Sequence, residues 1–211
     1  MITVKSFVFN DFQTNTYILS NEQHQCMIID CACQNATEWQ QLKGWLNENQ
    51  LTPLHALLTH CHVDHVLGCH YLLDVYGIGY QTHPASKIFI ELASEFSSVL
   101  GLKLEKFPPP QSYIYEGDCI QMEGLTLKVI YTPGHADGSV CYHSENEKIM
   151  FSGDVLFKDS IGRSDLPTGN YEKLRKSIIE KLFVLPDDTV VYPGHGPFTT
   201  IGHERKNNPF V

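Results

Sequence analysis

Residues 59–70 read THCHVDHVLGCH, placing four histidines, one aspartate and two cysteines in twelve positions. His60 and His62 are two residues apart, so in extended chain they share a face and can reach one ion. Asp64 and His65 follow where the chain turns toward a helix; they point elsewhere and can hold a second ion. Imidazole with carboxylate suits zinc or iron better than a thiolate-only or all-oxygen site would. Three later segments each add one ligand-type residue just beyond a strand, in a glycine-containing turn. TPGH ends in His135 after LKVIY, SGD ends in Asp154 after KIMF, and PGHG carries His195 after TVVY.

The elements that must position these residues follow from periodicity and turn signals. Strands are expected over residues 2–9, 16–19, 26–30 and 54–58, with the loop NDFQTN between the first two. Trp39, Leu42, Trp45 and Leu46 share one face of a helix over 37–50. A helix over 66–76 ends at Gly77 and is followed by a short strand, IGYQ. Pro84 opens a helix over 85–96. Residues 106–110 (KFPPP) form an extended connector. Strands follow near 112–115, 119–122, 125–131, 139–143 and 148–152, then a helix over 171–183 and a strand over 189–192. Each half supplies strands and then helices, which implies two mixed sheets packed together with helices outside, in one domain over 1–211.

Composition limits the function classes. The chain has 211 residues, 42% hydrophobic and 18% charged, which fits a globular protein with a sizeable core. A formal net charge of −9 argues against a broad nucleic-acid surface. Seven cysteines, an odd number, do not read as a disulfide framework; reduced thiols in a cytoplasm are expected. The first twenty residues show no basic stretch followed by an apolar run, and no apolar run is long enough to cross a bilayer.

The motif THxHxDHxxG over 59–68, with His135, Asp154 and His195 in that order, resembles the metallo-β-lactamase-fold hydrolases along almost the whole chain. That resemblance implies a four-layer αββα sandwich, two mixed β-sheets flanked by helices, with a metal centre at one edge. It implies that His60, His62 and His135 hold the first metal, that Asp64, His65 and His195 hold the second, and that Asp154 bridges both. The cofactors implied are two divalent metal ions, zinc first, with iron or manganese as alternatives. A hydroxide shared by the ions would attack an acyl carbonyl, with Asp64 orienting it and Asp154 as the other catalytic carboxylate.

The family spans many substrates, so the subfamily rests on other residues. Gly162-Arg163-Ser164-Asp165 resembles the glyoxalase II (hydroxyacylglutathione hydrolase) branch and its relatives, including persulfide dioxygenases. Thr199, Thr200, Ile201, Glu204, Asn208, Pro209 and Phe210 resemble the ending of the small bacterial glyoxalase II-like proteins. The implied activity is hydrolysis of a small-molecule thioester such as S-lactoylglutathione. The alternatives are a mononuclear iron persulfide dioxygenase and a catalytically inert metal-binding or redox-sensing protein. Longer glyoxalase II enzymes continue into a helical domain that helps hold glutathione, whereas this sequence stops soon after His195; the expectation is that the substrate is held by fewer contacts or is another thioester. Arg163 is the candidate for an anionic substrate group, since a guanidinium fork matches a carboxylate; a salt bridge within its own loop is the other reading.

Among the remaining residues, Asp30 ends a strand and is a candidate support for a ligand. Cys31 and Cys33 form a CxC that reads as packing or, less often, as a metal or redox pair. Cys61, Cys69 and His70 are expected to be bystanders or supports. Cys26, Cys119 and Cys141 read as small core residues, and His24, His55, His83, His143 and His203 as isolated. Phe12, Tyr17, Tyr142 and Phe157 are either pocket or core aromatics.

Overall fold

The computed structural model describes residues 1–102, 104 and 107–211. The first sheet has the order β1 (Thr3–Phe9), β2 (Thr14–Ser20), β3 (Gln25–Ile29), β4 (Thr52–Leu57), β5 (Tyr80–Thr82) and β6 (Ser112–Tyr113). Its first three strands are antiparallel and the rest parallel. The second sheet contains β7 (Cys119–Met122), β8 (Leu125–Tyr131), β9 (Val140–Ser144), β10 (Ile149–Gly153), β13 (Val190–Pro193) and β14 (Thr199–Thr200). Here β10 and β13 are parallel, which brings the ends that precede Asp154 and His195 side by side. A two-stranded hairpin, β11 (Leu156–Phe157) and β12 (Ser160–Ile161), lies beyond β10.

Three buried clusters define four layers. Between the sheets, Leu19, Met27, Ile29 and Leu57 meet Leu127, Val129, Val140 and Phe151. Outside the first sheet, α1 (Ala36–Glu48) buries Trp39, Leu42 and Leu46 beside α3 (Cys69–Tyr76). Outside the second, α6 (Tyr171–Ser177) and the π-helical turn Ile178–Leu182 bury Leu174, Ile178 and Leu182. Each such side chain contributes on the order of 1.5–3 kcal/mol by leaving water. The arrangement is the expected αββα sandwich.

Local chemistry sets the helix ends. Asn35 caps α1, its side chain accepting from the Thr37 and Glu38 amides, an arrangement typically worth about 1 kcal/mol. Gly77, at φ 70°, closes α3 in the left-handed conformation. Between β4 and α3 lies α2 (Val63–Val66), a single turn.

Several boundaries differ from expectation. The helix expected over 66–76 is two helices, because the chain bends at Gly68. Its amide donates to the Cys31 carbonyl, and a Cβ there would lie 2.7 Å from Cys31 Sγ. The helix expected over 85–96 is a 3-10 turn, Pro84–Ser86, then α4 (Lys87–Glu91) and α5 (Ala93–Val99), divided at Leu92. Of the KFPPP connector, Lys106 lies outside the described residues; Phe107 stacks on Tyr80 at 5.2 Å. The hairpin β11–β12 and α7 (Ile201–Asn207) are additional elements, each too short for a periodic signal. Cys119 is exposed rather than in the core, because the alternation of β7 turns Ile120 and Met122 inward instead.

Candidate metal centre

The residues singled out by type come together at one edge of the sandwich. His60 follows β4, His62 caps α2, and Asp64 and His65 lie on α2. His135, Asp154 and His195 follow β8, β10 and β13. Three overlapping groups result: His60, His62 and His135; His60, His65 and Asp154; Asp64, His65 and His195. Within each group, the potential ligand atoms lie within 4.8 Å of one another.

The spacing fits a bound cation. His65 Nε2 lies 3.4 Å from both Asp64 Oδ2 and Asp154 Oδ1. His195 Nε2 lies 3.3 Å from Asp64 Oδ2 and 3.4 Å from Asp154 Oδ2. Ligands about 2.0–2.1 Å from a tetrahedral zinc are about 3.3 Å from each other. In the other group, His62 Nδ1 is 3.1 Å from His60 Nε2 and 2.9 Å from His135 Nε2. His65 Nε2 and Asp154 Oδ1 are buried with no hydrogen-bond partner. Two adjacent orphans of this kind require an explanation, and a cation between them supplies one.

The far nitrogens of four of the five imidazoles are occupied, which fixes their tautomers. His135 Nδ1 donates to the Arg163 carbonyl at 2.8 Å, and His195 Nδ1 donates to the Phe12 carbonyl at 3.0 Å. His65 Nδ1 donates to Asp30 Oδ2 at 3.0 Å. Thr59 Oγ1 donates to the same carboxylate oxygen at 2.7 Å, so its own oxygen accepts from His60 Nδ1 at 3.1 Å. Each Nε2 therefore presents a lone pair to the centre, as a ligand must. Asp30 thus orients two imidazoles, one directly and one through Thr59. It is buried in the left-handed conformation, φ 53°, at the end of β3.

The charges are consistent with this. Burial, reinforced by neighbouring His65 and His62, pushes the His60 imidazole well below its ordinary value. Burial likewise pushes His62 down to about 3. Burial opposes ionisation of Asp64, but His65 and His195 outweigh it and hold the carboxyl down to about 2. Burial would lower His195, yet Asp154 and Asp64 raise it to about 10. The carboxylate pair thus holds positive charge beside it, the role a metal takes over when it displaces those protons.

Glycines allow the approach. A Cβ on Gly194 would collide with Asp154 Oδ1 and lie 2.8 Å from His65 Cε1. The loops are also tied across the sheets: Asn15 donates its amide to the Gly194 carbonyl at 2.7 Å, and Tyr17 Oη donates to Pro193 O at 2.7 Å.

Phe12 and Phe157 line a cleft of about 590 Å³ above the donors. Tyr17 and Tyr142 belong to the intersheet core. The Arg163 side chain is also at the cleft, but its guanidinium is forked onto Asp165 at 2.9 and 2.8 Å. Cys31, Cys33, Cys61 and Cys69 are buried in the first sheet's outer core. His70 Nδ1 donates to the Leu67 carbonyl at 3.1 Å, and the residue lies outside the donor groups. His203 is not isolated: it meets Asp159 at 2.6 Å, next to a buried Glu204 already bonded by Thr199, Asn208 and the Asp159 amide. Two supports were not expected from sequence. Thr14 Oγ1 donates to Asp64 Oδ2 at 2.8 Å, and Asn10 Nδ2 donates to the Asp64 carbonyl at 2.9 Å. Both lie at the NDFQTN loop, where polar residues are ordinary and carry no signal.

The fold and this double donor set define a class, and the chain belongs to the metallo-beta-lactamase superfamily, whose family model matches residues 9–195. Among individual proteins, it is 37% identical over 200 residues to the probable metallo-hydrolase YqgX of Bacillus subtilis, covering 94% of this chain and 92% of that one. It is 34% identical over 206 residues to the hydroxyacylglutathione hydrolase GloC of Haemophilus influenzae, covering 95% and 93% of the two chains. Among solved structures, BLEG-1 B3 metallo-beta-lactamase superposes with a TM-score of 0.91 at 36% identity, covering 99% of each chain. TTHA1623 in a di-iron-bound form superposes with a TM-score of 0.88 at 32% identity, covering 98% of this chain and 100% of that one. The chain is thus a metallo-hydrolase superfamily protein with His and Asp clusters suited to a dinuclear metal site. Among the described residues, no helix is long and apolar enough to cross a membrane.

Proposed function

We propose that this chain, acting as one domain over 1–211, is a hydrolase of small thioesters that uses two divalent cations, with S-lactoylglutathione as the first candidate substrate. The observation that carries this reading is the convergence of two donor groups on one cleft floor. His60, His62 and His135 hold one cation; Asp64, His65 and His195 hold the other; Asp154 faces both. Zinc is the first candidate, iron is supported by the di-iron relative, and manganese is the third. Bound there, the cations supply Lewis acidity and water with a pKa near 7.

The chain's own residues do the rest. Asp64, fixed by Thr14 and Asn10, offers the acceptor that orients the attacking water. Asp154 keeps the two donor groups in register. Water adds to the acyl carbon, the C–S bond breaks with its electron pair leaving on sulfur, and the products are a carboxylic acid and a thiol. Phe12 and Phe157 shield the floor from bulk solvent. Arg163 stands at the rim as the group for a substrate carboxylate, which would replace Asp165 on its fork. The glutathione link is supported by the Haemophilus relative and the Gly162-to-Asp165 segment. Seven unpaired thiols suit the reducing cytoplasm.

His65→Ala tests the binuclear reading. Its expected result is loss of one metal per chain together with thioesterase activity. A mononuclear iron dioxygenase would keep its metal and its oxygen uptake.

A further inference from the structure

The cleft above the donors has an unusual division of chemistry. Apart from the donor residues, Arg163 is the only polar side chain lining it among the described residues, and that guanidinium is already forked onto Asp165. The opposite wall is apolar and comes from α4, α5 and the residue that follows: Phe89, Phe96, Val99 and Leu100. The wall begins at the floor. The Phe89 ring stands edge-on to His62 at 4.9 Å, and Phe96 lies 5.8 Å from Phe89. Phe96 also packs against the cluster of Val63 and Leu67, just before Asp64 and two residues after His65. At the mouth, Val99 is 84% exposed and Leu100 48% exposed, two adjacent apolar side chains lining the cleft with little covering them.

We infer that this wall is the binding surface for an apolar acyl chain, and that the thiol half of the substrate is held by few contacts. This rests on the thioester-hydrolase reading and narrows it. With the carbonyl at the donor floor, an acyl chain leaving it meets Phe89, then Phe96, then Val99 and Leu100. A glutathionyl group carries two carboxylates and an ammonium. Bringing these into the cleft removes water without offering partners beyond one engaged arginine, which is unfavourable. An alkyl chain has no such cost, and each methylene buried improves binding by about fourfold. The selective half of the substrate is therefore the acyl group, and the carrier thiol stays largely in solvent.

The test uses the metal-loaded full chain and thioesters of one small neutral thiol, N-acetylcysteamine, with acetyl, butyryl, hexanoyl and octanoyl groups, beside S-lactoylglutathione. The expected kcat/KM rises with chain length, by about fifteenfold from acetyl to butyryl, chiefly through KM. Leu100→Asp and Val99→Asp, both surface changes, should flatten that profile. Calorimetric titration with octanoate and acetate gives a second readout, in which octanoate binds more tightly and Leu100→Asp removes the difference. A flat profile with S-lactoylglutathione preferred would overturn the inference and leave the hydrolase reading standing. If no thioester is hydrolysed, the hydrolase reading fails, and the titration still decides: length-dependent binding supports the apolar wall, and length-independent binding overturns it.

Discussion

The floor of the cleft and its α4–α5 wall are held in place by different means. On the floor, the far nitrogens of His60, His65, His135 and His195 are all hydrogen-bonded, and Asp64 is bonded at both its carboxylate and its carbonyl. The partners come from β2, from loops after β1, β3 and β4 of the first sheet, and from the chain after the β11–β12 hairpin, so the donors keep their aim only if these segments keep their places. The wall is two short helices divided at Leu92, whose cleft-lining side chains Phe89 and Phe96 are held by aromatic and aliphatic packing. The floor therefore has one geometry, as a coordination site demands, while the wall tolerates substitution, as a surface that selects among apolar groups can.

Four substitutions can break or sharpen that contrast. The largest effect is expected from Asp154→Asn, since Asp154 touches both donor groups. Its metal affinity and activity should fall by more than the 10–100-fold typical of losing a supporting partner, as measured by metal analysis and kcat. Next is Asp30→Asn, a change to a positioning residue that supplies no candidate ligand atom itself. Because Asp30 reaches both His65 and, through Thr59, His60, metal affinity should drop about 10–100-fold. Binding of both metals should weaken, whereas a purely structural role would lower the melting temperature and leave metal affinity unchanged. Thr14→Val removes one hydrogen bond to Asp64 and should weaken only the site of Asp64, His65 and His195, at the lower end of that range. Arg163→Ala should leave the melting temperature essentially unchanged, because its ion pair with Asp165 is solvent-exposed. Any rise in KM that is confined to substrates with a carboxylate would assign the guanidinium to substrate; no rise would leave it a loop salt bridge.

The floor was legible in the sequence because its donors are chemically distinctive residues, four of them crowded into residues 60–65 and three placed just after strands in glycine-containing turns. The order of the sheets was less so, yet alternating strands and helices were enough for two mixed sheets with outer helices. The wall was not legible. Phe89, Phe96, Val99 and Leu100 follow ordinary helical apolar spacing, and periodicity alone does not separate a face that lines a cleft from one that meets the core. Thr14 and Asn10 were hidden for the opposite reason, because a polar loop looks the same whether or not it supports a carboxylate across the fold. The division of the expected 85–96 helix at Leu92 has no proline or glycine to announce it. Cys119 shows the limit of residue type as a guide: cysteine is usually buried, but strand alternation decided its place.

The central claim is that the two donor groups work together on a thioester. Metal content of the purified protein, measured alongside thioester hydrolysis and oxygen uptake with glutathione persulfide, tests it most directly. About two metals per chain with hydrolysis and no oxygen uptake is the predicted result. About one iron per chain, with oxygen uptake and no hydrolysis, would contradict it.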